Sequence, residues 1–155
     1  GATDLDFAYD RLYVSNPNKD IPSIQVYNKN VDTFSLTFED TLSMTPNTIR
    51  VYENSYVVGL NNEAGCYIAL LDLNGEIVGK FNIAEGFTIQ DIHYSNSLLV
   101  LSSGYGGVLV YDWTGDDSIP ILRTIISSAY AYCSIVFDNN RIIVGTQNGI
   151  EVYEI

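Results

Sequence analysis

Four residues that could hold a cation recur at one place in a repeating pattern. Asp4, Thr48, Asp91 and Ser134 each stand directly before an aliphatic residue, Leu5, Ile49, Ile92 and Ile135, and those aliphatics are spaced 44, 43 and 43 residues apart. Two carboxylates and two hydroxyls at one level form an oxygen-only set, suited to a hard cation such as Ca²⁺, which takes about six to eight oxygen ligands. Four side chains fall short of that number, and polar residues at strand starts also cap turns and face water. If a cation binds, Asp4 and Asp91 are the carboxylates it would share. His93, the single histidine, lies between Ile92 and Tyr94. No serine, cysteine or second histidine stands at a matching repeat position, so His93 reads as structural and no catalytic residue is assigned. The G-x-S-x-G and H-E-x-x-H patterns are both absent.

Other residue types with chemistry of their own are sparse. Cys66 and Cys133 have no C-x-x-C spacing, which removes the usual zinc and redox patterns; the apolar runs after them predict two buried thiols, with a disulfide between the repeats as the alternative. The acidic stretches DLNGE, from Asp72, and DWTGDD, from Asp112, carry closely spaced oxygens but do not match a twelve-residue calcium loop, so hairpin turns are expected. Tyr105, Trp113, Tyr130 and Tyr132 are the candidates for an aromatic surface at one end of the molecule, of the kind glycan and protein ligands use.

The elements that must position these residues come from the repeat. The run LLVLS recurs as LYVSN, YVVGL and IIVGT, with Val14, Val58, Leu101 and Val144 again 44, 43 and 43 apart. Within each run apolar residues alternate with period two, and Asn, Asp, Gly and Pro bound them, which predicts short strands joined by tight turns. QNG before Ile150, LNGE around Gly75 and GYGG before Val108 are hairpin signals. Pro17 and Pro22 place NPNKDIPS in a loop. The class is therefore all-β, with four-stranded antiparallel units. Units of this length cannot bury their faces alone and must stack on neighbours, most simply as propeller blades around a channel. One domain over 1–155 is expected, with blades at about 4–42, 47–86, 89–128 and 132–155, the last lacking its outer strand: about 3.75 blades.

Composition bounds the partners. With 46% hydrophobic and 17% charged residues, the 155-residue chain can bury a substantial core. Nineteen acidic against seven basic residues give a net charge of −12, and the basic ones are scattered, which opposes binding to nucleic acid or an anionic membrane surface. No apolar run reaches the roughly 18 residues of a membrane helix, and GATDLDFAYD has no signal-peptide pattern. The absent initiator Met suggests a chain processed or cut from something longer, and the abundance of Tyr and Asn over Lys suits a secreted or periplasmic protein.

The phrase GGVLVYDWTGDDSIPILRT, through Gly107, Val110, Asp112 and Pro120, with GIEVYEI closing the next repeat, resembles the LVIVD-type propeller repeats of bacterial surface and envelope proteins. The likeness is best in the third and fourth repeats; the first two keep the strand order but lose the D-x-S-x-P segment. The WD dipeptide and the kelch pattern are absent. The resemblance implies a propeller in the bacterial envelope. The expected function is a non-catalytic binding or scaffolding module with a protein or glycan ligand. The rival expectations are a lactonase- or NHL-like propeller hydrolase with a channel metal on Asp4 and Asp91, and a purely structural half of a larger assembly. The strand missing from the last repeat predicts that a second chain, another copy or the rest of the propeller, completes it.

Overall fold

The computed structural model describes residues 1–138 and 140–155. Its strands fall into four antiparallel sheets, in chain order and without crossovers. The first holds β1 (Asp4–Ala8), β2 (Arg11–Asn16), β3 (Ser23–Lys29) and β4 (Phe34–Thr41); the second β5 (Pro46–Tyr52), β6 (Ser55–Leu60), β7 (Cys66–Leu71) and β8 (Ile77–Ile83). The third holds β9 (Asp91–Ser95), β10 (Leu98–Ser102), β11 (Val108–Asp112) and β12 (Ile121–Ile126); the fourth β13 (Ala131–Asp138), β14 (Arg141–Thr146) and β15 (Gly149–Glu154). Among the described residues the fourth sheet has three strands.

Turn chemistry sets the hairpins. The β1–β2 turn places Tyr9 and Asp10 at φ 53° and 58°, and the β9–β10 turn places Asn96 and Ser97 at 54° and 59°. Two successive left-handed residues match the strand twist in a two-residue loop. The acidic stretches are turns, as expected: the Asp72 carboxylate accepts the amides of Asn74 and Glu76 at 2.8 and 2.9 Å, and Asp112 pairs with Arg123.

The sheets stack face to face in sequence, first on second, second on third, third on fourth. Each seam is a separate apolar layer. Tyr13, Ile24 and Val26 meet Ile49, Tyr56 and Val58 between the first two sheets. Val57, Cys66 and Ile68 meet Ile92, Leu99 and Leu101 in the next seam, and Val100, Val108 and Val110 meet Ala131, Ile142 and Val144 in the last. Side chains alternate across each strand, so every inner sheet supplies one face to the seam before it and the other to the seam after it.

The fourth sheet departs from the sequence alignment by one residue. Leu5, Ile49 and Ile92 pair with Val14, Val58 and Leu101, but the partner of Val144 is Ser134 and not Ile135. Register shifts on either side of Cys133–Val136 explain this, since each leaves one residue of β13, Tyr132 and Phe137, without a partner in the ladder. A one-residue slip moves every side chain to the opposite face.

Candidate functional site

The strand that starts each sheet is β1, β5, β9 or β13, and the residue opposite the end of its neighbour is Asp4, Thr48, Asp91 and, in the fourth sheet, Cys133. Ser134, expected at this level, is instead buried against the third sheet, where its hydroxyl lies 2.8 Å from that of Ser102. The added β13 residue is the reason. It also corrects the expectation of two buried thiols: Cys66 is fully buried and Cys133 is exposed, both free. Burial pushes the Cys66 thiol up. Native protein is therefore expected to react with an aromatic disulfide reagent at one thiol per chain, Cys133, and at Cys66 only on unfolding. A native protein with no reacting thiol would refute the assigned β13 register, and two rapidly reacting thiols would refute the burial of Cys66.

The carboxylates are occupied from within the chain. One oxygen of Asp4 accepts from Thr48 Oγ1 at 2.8 Å, the Ile49 amide at 3.1 Å and the Arg50 guanidinium at 2.6 Å. The other arm of Arg50 reaches Asp91 at 3.2 Å. Two residues along β1, Asp6 accepts the Val51 amide at 2.8 Å. A guanidinium thus stands between the two candidate metal ligands, bridging three sheets, and a cation sharing them would have to displace it. Among the described residues no group of three or more His, Cys, Asp or Glu side chains is placed to hold a metal. Arg50 escaped the sequence reading, although its position two residues after Thr48 puts it on the same face of the strand.

Burial alone would raise the Asp4 carboxyl, but its bonds from Ile49, Thr48 and Arg50 hold it below the ordinary value. A depressed carboxyl stabilises the fold above its unfolded value near 3.8, and that contribution disappears as pH falls through the lower folded value. His93 shifts the same way, lowered by burial and then by Arg50, against the opposing pull of Asp91. For this base a depressed value means that stability is full above pH 6.5 and falls below it, because the unfolded chain takes up the proton first. Melting of wild type and His93→Gln between pH 7.5 and 5.5 should therefore diverge, with wild type losing more stability on acidification; parallel curves would refute the assignment.

The four aromatic candidates separate. Trp113 is buried in the seam between the second and third sheets, its indole N–H donating to the Ser118 carbonyl at 3.0 Å, with Tyr94 packed edge-on at 5.4 Å. It belongs to the core and not to a surface. Tyr105, Tyr130 and Tyr132 do come together, with ring centroids 4.7 and 4.8 Å apart along the series. The β10–β11 loop that carries Tyr105 is tied to the start of β13 by reciprocal Gly104–Ala131 backbone hydrogen bonds of 3.0 Å. The β13 irregularity turns Tyr132 outward beside Tyr130. Tyr105 is 82% exposed, and with Phe87, Thr88, Gln90 and Glu63 it lines a groove of about 380 Å³. This groove opens at the same end as Asp91, which directly follows Gln90.

The arrangement of sheets is shared with proteins of known structure. The computationally designed Ika4 protein aligns over 100% of this chain and 91% of its own, with a TM-score of 0.73 and 17% identity. The fold is that of a β-propeller. A protein from Lactobacillus plantarum aligns over 99% of the chain with a TM-score of 0.73 and 13% identity, and a chain of the mitotic checkpoint complex over 99% with 0.68 and 14%. This propeller chain spans 55% and 47% of those two proteins. No protein-family model and no curated protein matches it. The four sheets are its blades, and β1, β5, β9 and β13 lie side by side along one edge of the arc as its inner strands.

A second polar cluster lies away from the inner strands, in the seam between the first and second blades. The buried Asp40 carboxylate accepts from Tyr56 at 2.5 Å, Tyr67 at 2.6 Å and Lys80 at 2.5 Å. Burial, then Asp40, pushes both tyrosine hydroxyls far up, so they remain donors. Nothing in the repeat spacing announces this cluster, because its members come from different strands of two blades.

Proposed function

We propose that this propeller is a non-catalytic binding or scaffolding module whose ligand, a glycan or a protein segment, sits in the groove between the second and third blades, against Tyr105 and Tyr130. The observation that carries the reading is the series Tyr105–Tyr130–Tyr132, with Tyr130 packed against both neighbours and the other two largely exposed beside a polar-rimmed groove. Tyrosine suits such a site: it offers a rigid apolar face for a sugar ring or an apolar side chain at low entropy cost, and its hydroxyl can bond at the rim. Gln90, Thr88 and Glu63 supply hydrogen-bonding groups at that rim. The resemblance of the third and fourth repeats to LVIVD-type repeats supports an envelope setting for the module.

The Arg50 bridge between Asp4 and Asp91 weighs against the hydrolase alternative, since it neutralises the carboxylates that a channel metal would use. The test is a glycan array and a peptide library probed with wild type and with Tyr105→Ala. Tyr105 lies in a loop and its removal should leave melting unchanged, while binding should fall about tenfold or more. Identical binding by the two proteins would reject the groove, and ligands held by neither would reject the module.

A further inference from the structure

Both end faces of the arc are apolar and uncovered. On the last blade Ile150 and Val152 are 79% and 59% exposed. The registers that pair Gly145 with Ile150 and Ile143 with Val152 make them the counterparts of Ile24 and Val26, Cys66 and Ile68, and Val108 and Val110. Every one of those six is 6% exposed or less, because the next blade covers it. The first blade repeats the contrast on its opposite side. Leu5 is 57% exposed, against 0% and 2% for its counterparts Ile49 and Ile92, which the preceding blade covers. Phe7 and Phe34, in edge-to-face contact at 6.3 Å, extend the same open face.

These two faces are the two halves of a seam that the chain already builds three times. In the first internal seam Ile49 packs in one cluster with Ile24 and Val26, and in the second Ile92 packs with Cys66 and Ile68. Continuing the series places Leu5 against Ile150 and Val152. Within one chain they do not meet: among the described residues no strand of the first blade packs closely on the fourth.

We propose that a second copy of this chain covers both faces, its first blade packed on the fourth blade of the other copy, head to tail and twice over, so that the two arcs close one ring. A contact between unlike faces closes only if the rotation brings the second seam into register; otherwise it propagates as a filament. An exposed surface of this kind on both ends of a soluble chain is what an interface requires. The inference stands on the blade faces and is independent of the tyrosine groove.

The test is the solution mass by light scattering of wild type, Leu5→Lys, Ile150→Glu and an equimolar mixture of the two variants, with melting measured to verify that each variant folds. The wild type is expected at twice the 17.2 kDa chain mass. Each variant alone should be monomeric, since a symmetric pair would carry the defect in both seams. The mixture should regain the dimer through one intact seam and one Lys–Glu seam. A monomeric wild type, single variants that remain dimeric through like faces, or a ladder of larger masses would each overturn the closed pair.

Discussion

Replacing Asp40 by alanine is expected to lower stability by about 2–4 kcal/mol, because the change removes the shared acceptor of two tyrosine hydroxyls and a lysine in the seam that joins the first two blades. The carboxylate is 3% exposed, and Tyr56, Tyr67 and Lys80, all from the second blade, converge on it. Tyr56 is itself fully buried and Tyr67 partly so, and without the carboxylate the pair of hydroxyls loses the acceptor that both share. For a domain of this size the loss corresponds to a melting decrease of roughly 10 °C. Lys80→Met is the informative partner. Lys80 is half exposed, and its removal leaves the carboxylate with two tyrosine donors, so it should cost less than Asp40→Ala. A double-mutant cycle should show the two changes to be strongly non-additive. If Asp40→Ala costs under about 1 kcal/mol, water has access to the seam and the cluster does not hold the two blades together.

The second large effect concerns the backbone. Gly107→Ala should destabilise by roughly 3 kcal/mol or more. Gly107 has φ +78°, and an added Cβ would stand 2.1 Å from the carbonyl oxygen of Ile126 on the outer strand. The left-handed conformation alone costs about 1–2 kcal/mol for a residue with a side chain, and the clash with a neighbouring backbone cannot be relieved by a rotamer change. Gly65 repeats the device one blade earlier, at φ +78° and 2.2 Å from the carbonyl of Ile83. Both glycines precede a third strand and let it close on the fourth. Gly86, at φ +90° with no atom within 4 Å of a Cβ, isolates the conformational part, and Gly86→Ala should cost about 1 kcal/mol. Equal losses at Gly107 and Gly86 in urea unfolding would show that the close approach contributes nothing.

Much of the architecture was legible in the sequence. The positions of the strands follow from two periodicities, 2 within a strand and about 43 between blades, and neither depends on a distant contact. The hairpins were legible for the same reason, since residues at positive φ and Asx turns act within a few residues. The tyrosine cluster was half legible: Tyr105, Tyr130 and Tyr132 were recognisable as aromatic residues near one end, but Trp113 carries the same signal and is core. An aromatic side chain in a strand-flanking turn does not announce whether a neighbouring sheet will cover it.

By itself, then, the sequence determined an all-β chain of four repeating antiparallel sheets with the last one strand short, because strand and turn preferences are local and the repeat multiplies a weak signal four times. Tertiary structure alone decided the rest. It put Cys133 in the inner-strand series and Ser134 in a seam, since an extra residue in β13 reverses the facing of everything near it while leaving the hydrophobic pattern nearly unchanged. It seated Arg50 between Asp4 and Asp91, which turned a candidate cation site into an ion-paired clamp across three blades. It gathered Asp40, Tyr56, Tyr67 and Lys80 from four strands of two blades into one cluster around a buried carboxylate. Each of these depends on which side chains from separate blades arrive at the same point, and spacing along one chain carries no record of that meeting.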